Sequence, residues 1–128
     1  MTNATARPAA ARPAAAHRLG DVVFMEHPEM AHGTRPMVVM AVANGRVMLM
    51  PVSHVCCKQA EVAVMPNWHD DSYPAPNRVL GAAAAAVPAA GRAPRGWDRA
   101  AAVDACWDAW EALQAAAPRL AARLAAGL

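Results

Sequence analysis

The dipeptide Asn44-Gly45 stands between two runs of Val, Met and Ala, Met37–Ala43 and Val47–Pro51. No other feature of the chain constrains its fold as strongly. Asparagine and glycine accept the positive φ that both centre positions of a type I′ turn require, and that turn matches the twist of two antiparallel strands. The spacing predicts a tight hairpin. Val22–Met25 and Glu61–Met65 read as two further short strands, because turn material (His27-Pro28, His32-Gly33-Thr34, Ser53–Gln59) separates the runs. Strands apolar at nearly every position point to burial on both faces. A strongly bent antiparallel sheet of four or five strands meets these requirements.

The flanks differ from this centre. Residues 1–18 hold mostly Ala, Pro, Arg and Thr, with two Arg-Pro-Ala-Ala repeats and no apolar period. They read as a flexible tail, with nothing to bury that would offset the entropy of ordering. Residues 66–78 contain three prolines and read as loop. Asn77–Val87 predicts a short alanine-rich helix stopped by Pro88. From Trp97 to Ala117 the positions Val103, Trp107, Trp110, Leu113 and Ala117 recur at steps of three and four, with Asp104, Asp108 and Glu111 opposite. This predicts a helix with Asp98 as its N-cap or as an acid in its first turn, ended or kinked at Pro118, in a helical segment 97–126. The Trp107–Trp110 ridge is expected to pack on the sheet. A chain of 128 residues has room for one core, so 19–128 reads as a single α+β domain.

Charge excludes some functions. The net charge is +2, but residues 1–18 carry +3, 19–80 carry −2 and 81–128 carry +1. The centre lacks the broad basic field of a general nucleic-acid binder, so any such contact must be local. The longest apolar run, Val79–Ala90, is mostly alanine and is broken by Gly81 and Pro88. It is too weak to span a bilayer, and no leucine-rich leader precedes the domain, so a cytoplasmic protein away from membranes is expected. Three cysteines make no disulfide framework. His54, Cys56, Cys57, His69 and Asp70 lack the paired spacing of a zinc site, and no phosphate loop or dinucleotide fingerprint occurs. Neither a metal nor a cofactor is expected.

Three short motifs come one after another: Gly20-Asp21 opening a strand, Arg35-Pro36 opening the next, and Pro51-Val52-Ser53 closing the third. In this order and with the hairpin between them, they resemble the MazF/PemK/CcdB superfamily of bacterial toxins, chiefly its MazF/PemK ribonuclease branch. The resemblance covers about residues 19–65. It implies a small SH3-like antiparallel β-barrel, with strands over about 20–65, followed by carboxyl-terminal helices. It also implies a homodimer neutralised by a cognate antitoxin, and metal-independent cleavage of single-stranded RNA to a 2′,3′-cyclic phosphate. The family's catalytic Arg falls on Arg35 and its Thr/Ser on Ser53. Such chemistry fits these side chains: a guanidinium fork and a hydroxyl can hold the oxygens of a phosphorane. Arginine is a poor base, so His54 and His32 are the candidates for moving protons. Arg46 and Lys58 are the nearby cations that could meet RNA phosphates.

The sequence also departs from the family. The loop before Arg35 carries Glu26 and Glu29 where several basic residues are expected, and the carboxyl-terminal half follows no family pattern. A second reading is therefore a non-enzymatic interaction module on the same barrel, CcdB-like or an adaptor, binding protein through its Met-rich sheet or its Trp helix.

Overall fold

The computed structural model describes residues 17–31 and 33–128. Its strands are β1 (Val22–Met25), β2 (Arg35–Ala43), β3 (Arg46–Ser53), β4 (Tyr73–Pro74) and β5 (Leu80–Ala83). Every pairing is antiparallel. β1, β2 and β3 form a meander. The far edge of β3 is shared: its first half pairs with β5 and its last two residues with β4. The hairpin stands as expected, with φ of 54° at Asn44 and 73° at Gly45.

β2 carries a bulge. Val39 faces Leu49 but Ala41 faces Met48, so Met40 is the extra residue. Its carbonyl accepts the indole N–H of Trp107 at 3.0 Å. The bulge thereby gives helix and sheet a polar register mark inside an apolar contact.

Both faces of the sheet are buried. Val38, Met40, Met50 and Val52 point to the helices, where they meet Cys106, Trp110 and Leu113. Val23, Met37, Val39, Val47 and Leu49 point the other way and are covered by Val87 and by β5 itself. Most of the apolar surface of the strands is thus consumed within one chain, and Phe24 and Val42 are left exposed.

The sheet bends but does not close into the expected barrel. After β5 the chain makes a 3-10 turn (Ala84–Ala86), buries Val87 and reaches the outer edge of β1. There it forms a single backbone bond, from Gly91 N–H to the Val22 carbonyl at 2.8 Å. Pro88 and Pro94 flank this passage and cannot donate to a ladder.

Two predicted elements differ. Glu61–Met65 does not form a strand. Its only ladder-like bond is Met65 N–H to the Ser72 carbonyl at 2.7 Å. The edge of β3 it would need is occupied by β4, and Pro66 comes next. Asn77–Val87 is not a helix. It supplies the end of a 3-10 turn (Pro76–Arg78), then β5. The open edge of β3 at Arg46–Leu49 rewards an extended chain more than alanine's helix preference does. Of the expected tail, residues 1–16 lie outside the described residues. His17 and Arg18 are tied down: the His17 ring meets the Pro88 carbonyl at 3.0 Å, and Arg18 N–H donates to the Asp21 carboxylate at 2.9 Å.

The helices are α1 (Arg99–Ala116) and α2 (Pro118–Ala125). Asp98 caps α1 by accepting from Ala101 N–H at 3.1 Å. Pro118 opens α2, where its missing N–H costs nothing. The buried face of α1 is Ala102, Cys106, Ala109, Trp110 and Leu113, one step round from the stripe the apolar spacing marks. Small residues at its centre let the helix lie close to the sheet, and Trp107 flanks the contact half-buried. No helix among the described residues is long and apolar enough to cross a membrane.

Candidate active site

The register that sets Met37 against Pro51, carried two residues further, brings Arg35 opposite Ser53. Both side chains line one open cleft of about 580 Å³, together with His54, Lys58, Arg78 and Glu29. The end of the β2–β3 ladder forms its floor. The 53–59 loop and the loop around Glu29 form its walls, with the Pro76–Arg78 turn beside them. Three residues predicted from sequence as site residues, Arg35, Ser53 and His54, are therefore brought together, and Lys58 joins them.

One predicted residue falls elsewhere. Arg46 begins β3, at the far end of the strand that ends in Ser53. It lines a separate shallow depression with Asn44 and Leu128. Seven strand steps put it about 23 Å from the cleft floor. His32 lies outside the described residues. Gly20-Asp21, the first motif, is structural. Asp21 is buried and accepts from Arg99 Nε at 3.2 Å, and the Gly20 carbonyl accepts the Trp97 indole N–H at 2.8 Å. This pair ties the start of β1 to the start of α1, away from the cleft.

Arg35 is half-buried, and its Nε–H is covered and has no hydrogen-bond partner among the described residues. No carboxylate among them pairs with it either. A buried donor left in that state costs about 1–3 kcal/mol. Arg78, by contrast, pairs with Glu29 at 3.4 Å across the cleft. That contact is placed by His27, a buried ring that local sequence marks only as turn material. Glu29 N–H donates to His27 Nδ1 at 3.0 Å, so the other nitrogen carries the proton and donates to the Arg78 carbonyl at 2.9 Å. Counting Arg35, Lys58 and Arg78 against Glu29, the cleft is locally positive although the central segment is not.

Ser53 turns the chain out of β3. Its Oγ accepts Val55 N–H at 3.1 Å, which leaves its own hydrogen free to donate. His54, at 78% side-chain exposure, is held from outside the cleft. The Ser72 hydroxyl lies 2.6 Å from Asp70 Oδ1 and 3.2 Å from His54 Nδ1. A carboxylate only accepts, so the single Ser72 hydrogen goes to Asp70. His54 Nδ1 must then carry a hydrogen and donate it to Ser72 Oγ. The neutral imidazole is left with a lone pair on Nε2, the form a general base needs. His69 approaches the same carboxylate at 3.6 Å. Sequence reasoning missed Asp70 and Ser72 in this role, since an 18-residue separation gives no local signal.

No protein-family model matches the chain, and the searches of curated proteins and of solved structures found no match. Of the three sequence motifs, only Arg35 and Ser53 contribute side chains to the cleft.

Proposed function

We propose that this chain is a MazF/PemK-like toxin that cleaves single-stranded RNA without a metal ion, and that Arg35, Ser53 and His54 carry the reaction. One observation supports this most: an arginine with no carboxylate partner shares an open, locally positive cleft with a serine free to donate and a histidine poised as a base.

In this reading the 2′-hydroxyl attacks the adjacent phosphorus and gives its proton to His54 Nε2. The P–O bond to the 5′-oxygen breaks, and a 2′,3′-cyclic phosphate remains. Charge on the phosphorane is met by the Arg35 fork and by the Ser53 hydroxyl. The departing 5′-oxygen takes a proton from a second donor, the role for which the sequence offers His32. Lys58 supplies attraction to the RNA backbone.

The proposal includes a cytoplasmic setting, a cognate antitoxin and a homodimer. The sheet gives the dimer little support, because most of the apolar surface on both its faces is covered by the chain. The deciding experiment is cleavage of single-stranded RNA by the purified protein in a chelating buffer. Arg35→Ala is expected to slow it by about a hundred- to a thousandfold, the usual cost of losing such a donor. Arg35→Lys recovers little, since a point charge does not reproduce the planar fork. If the unaltered protein leaves RNA intact, or Arg35→Ala cleaves as fast, the chain is instead the non-enzymatic interaction module.

A further inference from the structure

A second cavity, of about 360 Å³, adjoins the cleft, and His54 lines both. Its walls are Phe24, Pro36, Trp68 and His69, with Arg92 at its side. Phe24 and Pro36 face each other across the β1–β2 ladder, so this wall starts one residue from Arg35. Phe24 is 40% exposed, an unusual state for an aromatic side chain in a chain with so few. Its ring is held in place. A Cβ on Gly91 would come within 2.6 Å of it, so the ring lies directly on that glycine's backbone. Opposite, Trp68 is braced edge-on by Trp97, with ring centres 5.7 Å apart, and tilted against His69 at 5.5 Å.

We infer that this cavity takes an unpaired nucleobase of the RNA strand whose phosphate occupies the cleft. The inference rests on the proposed ribonuclease reading. Two features select this occupant. The cavity offers flat carbon-rich faces with a guanidinium beside them, which suits a base stacking on its π-face. It also joins a cationic cleft through one shared residue, so its occupant must carry a negative charge and a flat apolar group on neighbouring units of one chain. A single-stranded nucleic acid does so; in a duplex the base faces are already stacked. The cavity would therefore add discrimination of single strands from duplexes that the small net charge cannot supply.

Binding of fluorescein-labelled 2′-O-methyl decaribonucleotides, which lack the attacking hydroxyl, tests this by fluorescence anisotropy. Oligo-U and oligo-A are compared with a decamer of equal charge that lacks every base. Base-bearing strands are expected to bind about 5- to 100-fold more tightly, the range that stacking of one base supports. Phe24→Ala and Trp68→Ala should erase that margin while leaving the abasic affinity unchanged. Arg35→Ala should weaken both kinds of strand. Phe24 is exposed, so its variant still decides the matter if Trp68→Ala fails to fold. Equal affinity for abasic and base-bearing strands, or a margin that survives Phe24→Ala, overturns the pocket and leaves the cleft standing. Absence of binding by every strand overturns both.

Discussion

One hydroxyl hydrogen at Ser72 decides which nitrogen of His54 is free. It goes to Asp70, so His54 donates through Nδ1. His54 and Asp70 are too exposed, at 78% and 41%, for their 3.9 Å approach to add much stability. The network instead orients the ring. Ser72→Ala is expected to shift the tautomer ratio about two- to tenfold toward Nε2–H, the worth of one hydrogen bond. Long-range 1H–15N correlation spectra would read this without any assay of activity. If the proposed ribonuclease activity holds, the same variant should lower kcat with little change in KM, and by less than His54→Ala does. A tautomer ratio unmoved by Ser72→Ala would remove the orienting role. Cys106 gives a second prediction. Burial pushes its thiol up to about 12 from an ordinary value of 9.0. It should resist iodoacetamide in the folded protein while half-buried Cys56 reacts, and its labelling should track unfolding. The raised folded value also means that the stability it lends is complete below pH 9 and falls as the pH rises from there toward 12.

Between elements, two contacts set α1 on the sheet. At one end Gly20, at φ +86°, lies so close to α1 that a Cβ would come within 2.4 Å of the Arg99 Cβ. Gly20→Ala combines a left-handed backbone with a clash against a helix's first turn. It should destabilise the fold by about 2–4 kcal/mol, read from the urea midpoint at unchanged slope. Gly33, also at positive φ, has open space where its Cβ would go, so alanine there meets only the backbone penalty. At the other end Trp107 marks the Met40 bulge through its indole N–H. Trp107→Phe keeps most of the ring but loses that bond, and should cost about 1–2 kcal/mol. A cost near zero would show that the bulge carbonyl finds water instead.

In the whole molecule, one apolar cluster runs from β2 and β3 through α1 to Ala121 of α2. Helices and sheet therefore lose their partners together. Trp fluorescence and far-ultraviolet circular dichroism should report one unfolding midpoint. Trp110→Ala should remove about 3–5 kcal/mol, a large share of a small domain's stability. Two separated transitions would show that the helices form a unit of their own. Among the described residues the exposed large apolar side chains are Leu19, Phe24, Val42, Val55 and Val64. Sedimentation at micromolar concentration tests the proposed homodimer, and a monomer there would remove it from the proposal.

The hairpin, the two-faced strands and the capped helix were legible in the chain because each depends on neighbours in sequence. Asn44-Gly45 must turn where it does, and Asp98 must cap the helix that begins at Arg99. The placing of Arg35 opposite Ser53 was not legible from the hairpin alone: the register that sets Ala43 against Arg46 would carry Arg35 to His54, and only the bulge at Met40 shifts it by one residue. β5 was not legible, because alanine has no strong local demand and only the vacant edge of β3 makes Leu80–Ala83 extend. Nor was the open side of the sheet, where one bond from Gly91 stands in for a closing ladder. The buried stripe of α1 was displaced because alanine and cysteine become core only when a sheet comes close enough to cover them. Asp70, Ser72, His27 and Arg78 came to the site through contacts spanning 16 to 51 residues. Local sequence decided what each segment could form; long-range packing decided which side chains meet, because loop closure leaves no pattern in the sequence to read.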